Sequence, residues 1–132
     1  MSGAMKNVIA IASGIVFGLE LGENARAAML TRGLAETAKL VKALGGKVET
    51  VFGLAGAGDM ALSALSPTSR NFSWGYSIAK NQIPKKNLVE GVHASKYAVL
   101  NAKKLNIEMP ITQLVEKACS SSIDLSLSLI HI

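Results

Sequence analysis

Cysteine is almost missing from this 132-residue chain, which holds only Cys119. One thiol cannot close an internal disulfide, and the two histidines, His93 and His131, stand too far apart in sequence to build a zinc-ligand spacing. No metal site is expected, and a reducing cytoplasm is the expected compartment. Aromatic residues are scarce at 5%, so the stacking platforms of single-strand binders are not provided. No RRM, KH, homeodomain or zinc-finger spacing occurs, and nucleic acid is not an expected partner. Long apolar runs are missing too. The longest, Val8 to Leu21, is interrupted by Ser13, Gly14, Gly18 and Glu20 and falls short of the roughly 20 residues a membrane span requires. The N-terminus has neither the positive cluster nor the cleavage site of an exported precursor.

What is present is material for a core. Hydrophobic residues make up 49% of the chain and charged residues 17%, a balance that favours folding over disorder. A single domain of this length hides roughly 65 to 70% of its unfolded surface, enough to fold without covalent staples. The formal net charge is +5, and it suits an anionic small molecule as well as any larger anion. The segment from Lys80 to Lys104 has six lysines against Glu90, the pattern of a solvated helix face because a single aromatic, Tyr97, is all that is interleaved with them.

Apolar positions follow a helical period, which predicts an all-α domain. The first helix is expected from about Asn7 to Leu19, apolar on nearly every side and therefore central. Gly14 and Gly18 would let a neighbouring helix approach closely. A second helix is expected after Gly22, capped by Asn24, running to Leu44 and ended by Gly45-Gly46. A glycine-rich segment, Gly53 to Gly58, then leads to Asp59 and a short helix from Met60 to Leu65 that stops near Pro67. Ser69-Arg70-Asn71 opens another helix through Trp74, Tyr76 and Ile78. A turn at Gln82-Ile83-Pro84 precedes a basic helix from about Leu88 to Leu105, and Met109-Pro110 starts the last. The main domain is placed at residues 1 to 119. Residues 120 to 132 form an atypical tail whose Ser/Leu alternation is strand-like.

Three local groups carry chemistry. Lys6 stands beside an apolar helix, where burial disfavours the charged ammonium and so favours the amine that accepts a proton. A lysine in that position is more commonly a surface residue whose stem covers the core. Asp59 emerges from the glycine-rich segment, either as a helix cap or as a carboxylate that positions the lysine and a substrate hydroxyl. Ser69-Arg70-Asn71 at a helix start combines unpaired backbone N–H groups with a forked guanidinium, a site suited to phosphate.

The ordered set Gly3-Ala4-Met5-Lys6-Asn7, Leu21-Gly22-Glu23-Asn24, Thr31-Arg32-Gly33-Leu34-Ala35-Glu36, Gly53-Leu54-Ala55-Gly56-Ala57-Gly58-Asp59, Ser69-Arg70-Asn71, Val89-Glu90-Gly91 and Met109-Pro110-Ile111-Thr112 closely resembles the C-terminal, substrate-binding domain of bacterial NAD(P)-dependent glycerol-3-phosphate dehydrogenase. The likeness covers about residues 3 to 118. It implies a helical bundle like the C-terminal domain of 6-phosphogluconate dehydrogenase, acting on sn-glycerol 3-phosphate and dihydroxyacetone phosphate with NAD or NADP. It also implies that Lys6 is the proton acceptor and that Asp59, Ser69, Arg70 and Asn71 contact substrate, joined by Asn7 and Ser63. Arg70, Leu88 and Glu90 are the cofactor contacts implied from this domain.

There are departures from the family pattern. The family's Rossmann half and its GxGxxG turn have no counterpart here, and Gly53 to Gly58 is not that turn. After Asn71 the chain continues Phe72-Ser73-Trp74, where relatives often carry further arginines. The resemblance thus implies a substrate-binding and catalytic-base half that is inactive without a cofactor domain. A separate Rossmann-domain chain and a homodimer are the partners it leaves open. The alternative is a non-catalytic helical module or truncated relic.

Overall fold

A computed structural model describes residues 2–47, 49, 70–82 and 90–120, and these build five helices with no strand among the described residues. They are α1 (Ser2–Gly18), α2 (Glu23–Ala43), α3 (Arg70–Ala79), α4 (Glu90–Leu105) and α5 (Pro110–Ser120). The all-α expectation is met. The expected glycine-rich segment, the Met60–Leu65 helix, the Pro84 turn and the tail from residue 121 lie outside the described residues.

α1 is the hub. Met5, the run from Val8 to Ala12, Ile15 and Val16 are all buried, and the helix contacts each of the other four. It begins five residues before the expected Asn7. Once a helical turn exists, each added residue gains a hydrogen bond, and burial of Met5 at 1% exposure draws the preceding turn into the helix. Lys6 and Asn7 therefore stand within α1 instead of at its threshold.

Gly14 and Gly18 admit a neighbour, as expected, and the neighbour is α3. A Cβ on Gly14 would strike the Phe72 carbonyl oxygen, and one on Gly75 would strike the Ile11 carbonyl oxygen. The backbones of the two helices thus touch at two facing glycines. Asn7 meets Asn71, Ile11 meets Gly75 and Gly18 meets Ala79, so α1 and α3 run parallel with their starts at one end of the bundle. Gly33 of α2 packs on Ile9, and Arg26 lies over the Phe17 ring at 5.2 Å, so α2 runs antiparallel to α1.

The caps explain the helix lengths. Gly22, not Asn24, is the N-cap of α2 at φ 92° and ψ 173°, and no side chain caps it. That conformation is open to glycine and closed to asparagine, which leaves Asn24 inside the first turn. At its far end Gly45, at φ 86°, donates to the Lys42 carbonyl while Gly46 donates to that of Val41, the paired closure expected from Gly45-Gly46. The same closure ends α1, α3 and α4 around Glu20, Asn81 and Asn106, whose φ values are 57°, 56° and 56°.

The start of α5 is secured from a distance. Its N-cap, Met109, has no side-chain acceptor, and Pro110 has no N–H. Glu36 of α2 supplies both missing acceptors. Its Oε2 accepts from the Ile111 N–H at 2.7 Å, and its Oε1 accepts from the Thr112 N–H at 3.0 Å and the Thr112 hydroxyl at 2.9 Å. Nearby, the Lys39 ammonium donates to the Glu108 carbonyl at 2.8 Å.

Candidate functional site

The close α1–α3 packing brings three of the singled-out motifs to one end of the bundle. Asn71, the second residue of α3, is buried and donates from Nδ2 to Asn7 Oδ1 at 3.1 Å. Asn7 in turn donates from its own Nδ2 to Glu90 Oε2 at 3.1 Å. Glu90 opens α4, and its other oxygen, Oε1, faces the Arg70 guanidinium at 3.5 Å. The Gly91 N–H donates to Asn71 Oδ1 at 2.9 Å, which closes the set.

These five residues form one network across α1, α3 and α4. The starts of α3 and α4 meet there, and helix starts carry partial positive charge from unpaired N–H groups. Arg70 adds a formal charge. Its side chain is 67% exposed and that of Glu90 69% exposed, so their pairing contributes only about 0–1 kcal/mol. Such a pair opens readily, and its guanidinium can exchange the carboxylate for another anion. Lys6, half-buried, adjoins Asn7 in the second turn of α1.

Of the expected site residues, Asn7, Arg70, Asn71 and Glu90 are joined directly, and Lys6 adjoins them on α1. Asp59, Ser63, Ser69 and Leu88 lie outside the described residues. One contributor, Gly91, has no role assigned by the sequence. Gly91 lends the backbone N–H that orients Asn71, and a Cβ there would meet Asn7 O and Asn71 Oδ1, each at 2.8 Å. Its motif was visible, although nothing in Val89-Glu90-Gly91 says where the N–H points.

No group of three or more His, Cys, Asp or Glu side chains able to hold a metal occurs among the described residues. No described helix is long and apolar enough to cross a membrane.

The family model described as NAD-dependent glycerol-3-phosphate dehydrogenase C-terminus matches residues 1–129. The glycerol-3-phosphate dehydrogenase (NAD(P)+) of Rhodospirillum rubrum is 45% identical over 132 residues, covering 96% of this chain and 38% of the relative. Its counterpart in Sinorhizobium fredii is 45% identical over 132 residues, with 98% and 40% covered. The crystal structure of glycerol-3-phosphate dehydrogenase from Coxiella burnetii superposes with a TM-score of 0.90 at 38% identity, covering 98% of this chain and 42% of that one. The chain therefore belongs to the C-terminal domain family of NAD-dependent glycerol-3-phosphate dehydrogenase. It spans about two fifths of the length of these relatives.

Proposed function

We propose that this chain is the substrate-binding and proton-transferring part of an NAD(P)-dependent sn-glycerol-3-phosphate dehydrogenase, working in the cytoplasm. The observation that carries the reading is the meeting of the α3 and α4 starts at Arg70, beside the turn of α1 that carries Lys6. In oxidation, the Lys6 amine takes the proton of the carbinol hydroxyl, and in reduction the ammonium returns it. Arg70, with Ser69 and Asn71, holds the phosphate end, so that binding energy far from the reacting carbon orients that carbon. Asn71 Nδ2 spends one N–H on Asn7, which leaves the other for a phosphate oxygen. Asp59 positions Lys6 and the hydroxyl, and Ser63 adds a further substrate contact.

The nicotinamide cofactor, when bound, accepts the hydride from the carbinol carbon. Its main site lies in the part of the relatives that this chain does not cover. The exposed residues here suit it. Arg70 offers donors to an anionic group, and Glu90 offers acceptors to hydroxyl or amide donors; Leu88 is proposed as a further cofactor contact on the family resemblance alone.

The test uses a full-length enzyme made by joining this chain to the part of the Rhodospirillum rubrum relative that it does not cover. Lys6→Ala should lower kcat by about 10² to 10⁴ with a smaller effect on KM, the usual scale for losing a general base. Arg70→Ala should act mainly on KM for glycerol 3-phosphate. Intact turnover in Lys6→Ala, with Arg70→Ala altering only cofactor affinity, would overturn the assignment.

A further inference from the structure

The network around Asn7 has a fixed direction. A backbone N–H can only donate, and an ionised carboxylate can only accept. The Gly91 N–H therefore forces Asn71 to present Oδ1 to it, which turns Asn71 Nδ2 toward Asn7. That donor forces Asn7 to present Oδ1, which turns Asn7 Nδ2 toward Glu90. The chain of bonds ends on the carboxylate of the residue immediately before Gly91, so it closes into a ring. Neither amide can flip without setting donor against donor or acceptor against acceptor.

Asn7 is the member that ties the ring to α1. Its two polar atoms engage α3 and α4, and Lys6 is its neighbour in the same turn. We propose that Asn7 is a positioning residue for proton transfer. Its amide fixes the Lys6 turn against the Arg70–Glu90 pair, and it acts through Asn71 and Glu90 instead of by touching substrate. This rests on the function proposed above and deepens it, because it moves Asn7 from the substrate contacts to the support beneath them.

The polarity of the ring supplies the test, again in the joined full-length enzyme. Asn7→Asp keeps the acceptor for Asn71 and replaces the donor to Glu90 by a second negative charge. With glycerol 3-phosphate and cofactor saturating, kcat should fall by about 10- to 100-fold, the scale of a displaced catalytic group. In a Glu90→Gln background the side-chain amide can donate back to that carboxylate, so the bond is restored with its direction reversed. There the same substitution should cost less than about threefold.

The thermal midpoint should follow the same pattern, down in the parent background and recovered in the Glu90→Gln background. An equal loss of kcat in both backgrounds would overturn the proposal. So would a midpoint that recovers while kcat does not, since Asn7 would then serve only the fold. A defect confined to KM for glycerol 3-phosphate and indifferent to residue 90 would return Asn7 to the substrate. Should Asn7→Asp not accumulate folded, Asn7→Ala and Glu90→Ala give the same cycle. Their combined loss in kcat must fall well short of the product of the single losses, and a full product counts against the ring. Failure of the underlying function shows separately, as intact turnover in Lys6→Ala.

Discussion

Glu36 and Thr112 stand 76 residues apart in the chain, yet one carboxylate oxygen of the first accepts both the backbone N–H and the hydroxyl of the second. The carboxylate is buried at 4% exposure, and burial raises its pKa above the ordinary 4.5 despite the opposing bonds from Thr112 and Ile111 and the charge of Lys39. A carboxyl raised on folding contributes stability that is fully present below its unfolded value and lost as pH rises through its folded value. Glu36→Gln removes that contribution. The stability difference between the parent and Glu36→Gln should therefore move in favour of the parent as pH is lowered from 7 toward 4.5. Urea unfolding midpoints of the two proteins across that range would check it, and a flat or opposite trend would refute it. At neutral pH Glu36→Gln should itself cost about 1–3 kcal/mol, because an amide nitrogen then faces backbone donors.

Two glycines separate steric need from conformational need. Gly14 has a helical backbone but no room for a Cβ beside the Phe72 carbonyl, whereas Gly45 has open space but a φ of 86°. Gly45→Ala should cost about 1 kcal/mol, the ordinary penalty for a left-handed alanine. Gly14→Ala must separate two backbones and should cost more, about 2–4 kcal/mol. Thermal midpoints ranked the other way would show that the α1–α3 contact tolerates spreading.

Ser13 lies in the middle of α1 at 1% exposure, and its hydroxyl has no hydrogen-bond partner among the described residues. Ser13→Ala removes a buried, unsatisfied group and improves helix propensity. The expected result is a gain of about 1 kcal/mol in unfolding free energy. A loss of stability would mean that the hydroxyl is satisfied in solution.

Burial pushes the Cys119 thiol above its ordinary value of 9.0. The thiolate is the reactive form, so Cys119 should react with a disulfide reagent at pH 8 more slowly than free cysteine does. Urea should abolish the difference. Reaction at or above the free rate in the native protein would show an accessible thiolate.

Much of this arrangement was legible before any coordinates. The 3.6-residue period gave the helical class, Gly14 and Gly18 announced a close neighbour, and Gly45-Gly46 marked where α2 stops. The identity of that neighbour was not legible, because a small residue says that something approaches without saying what. The early start of α1 was hidden for a related reason, since Met5 is held by tertiary burial and not by any local signal. The Glu36 cap was out of reach because its acceptor and donors are 75 and 76 residues apart and Met109 carries no capping oxygen. At Asn7, the family resemblance implied a substrate contact. That both polar ends of the amide bond to protein was not legible, because it depends on how α3 and α4 are docked.

The burial of α1 has a bearing on how such a protein changes over generations. Met5, Val8, Ile9 and Ile11 build the core on the same few turns that carry Lys6 and Asn7. A drift in core volume at those apolar positions shifts the helix that holds the proposed proton acceptor, so folding and turnover are selected together at this element. On the exposed faces of α2 and α4, by contrast, residues can be exchanged for solubility without consulting the chemistry. Libraries aimed at a more heat-resistant variant should therefore leave the first three turns of α1 untouched and draw their diversity from those outer surfaces.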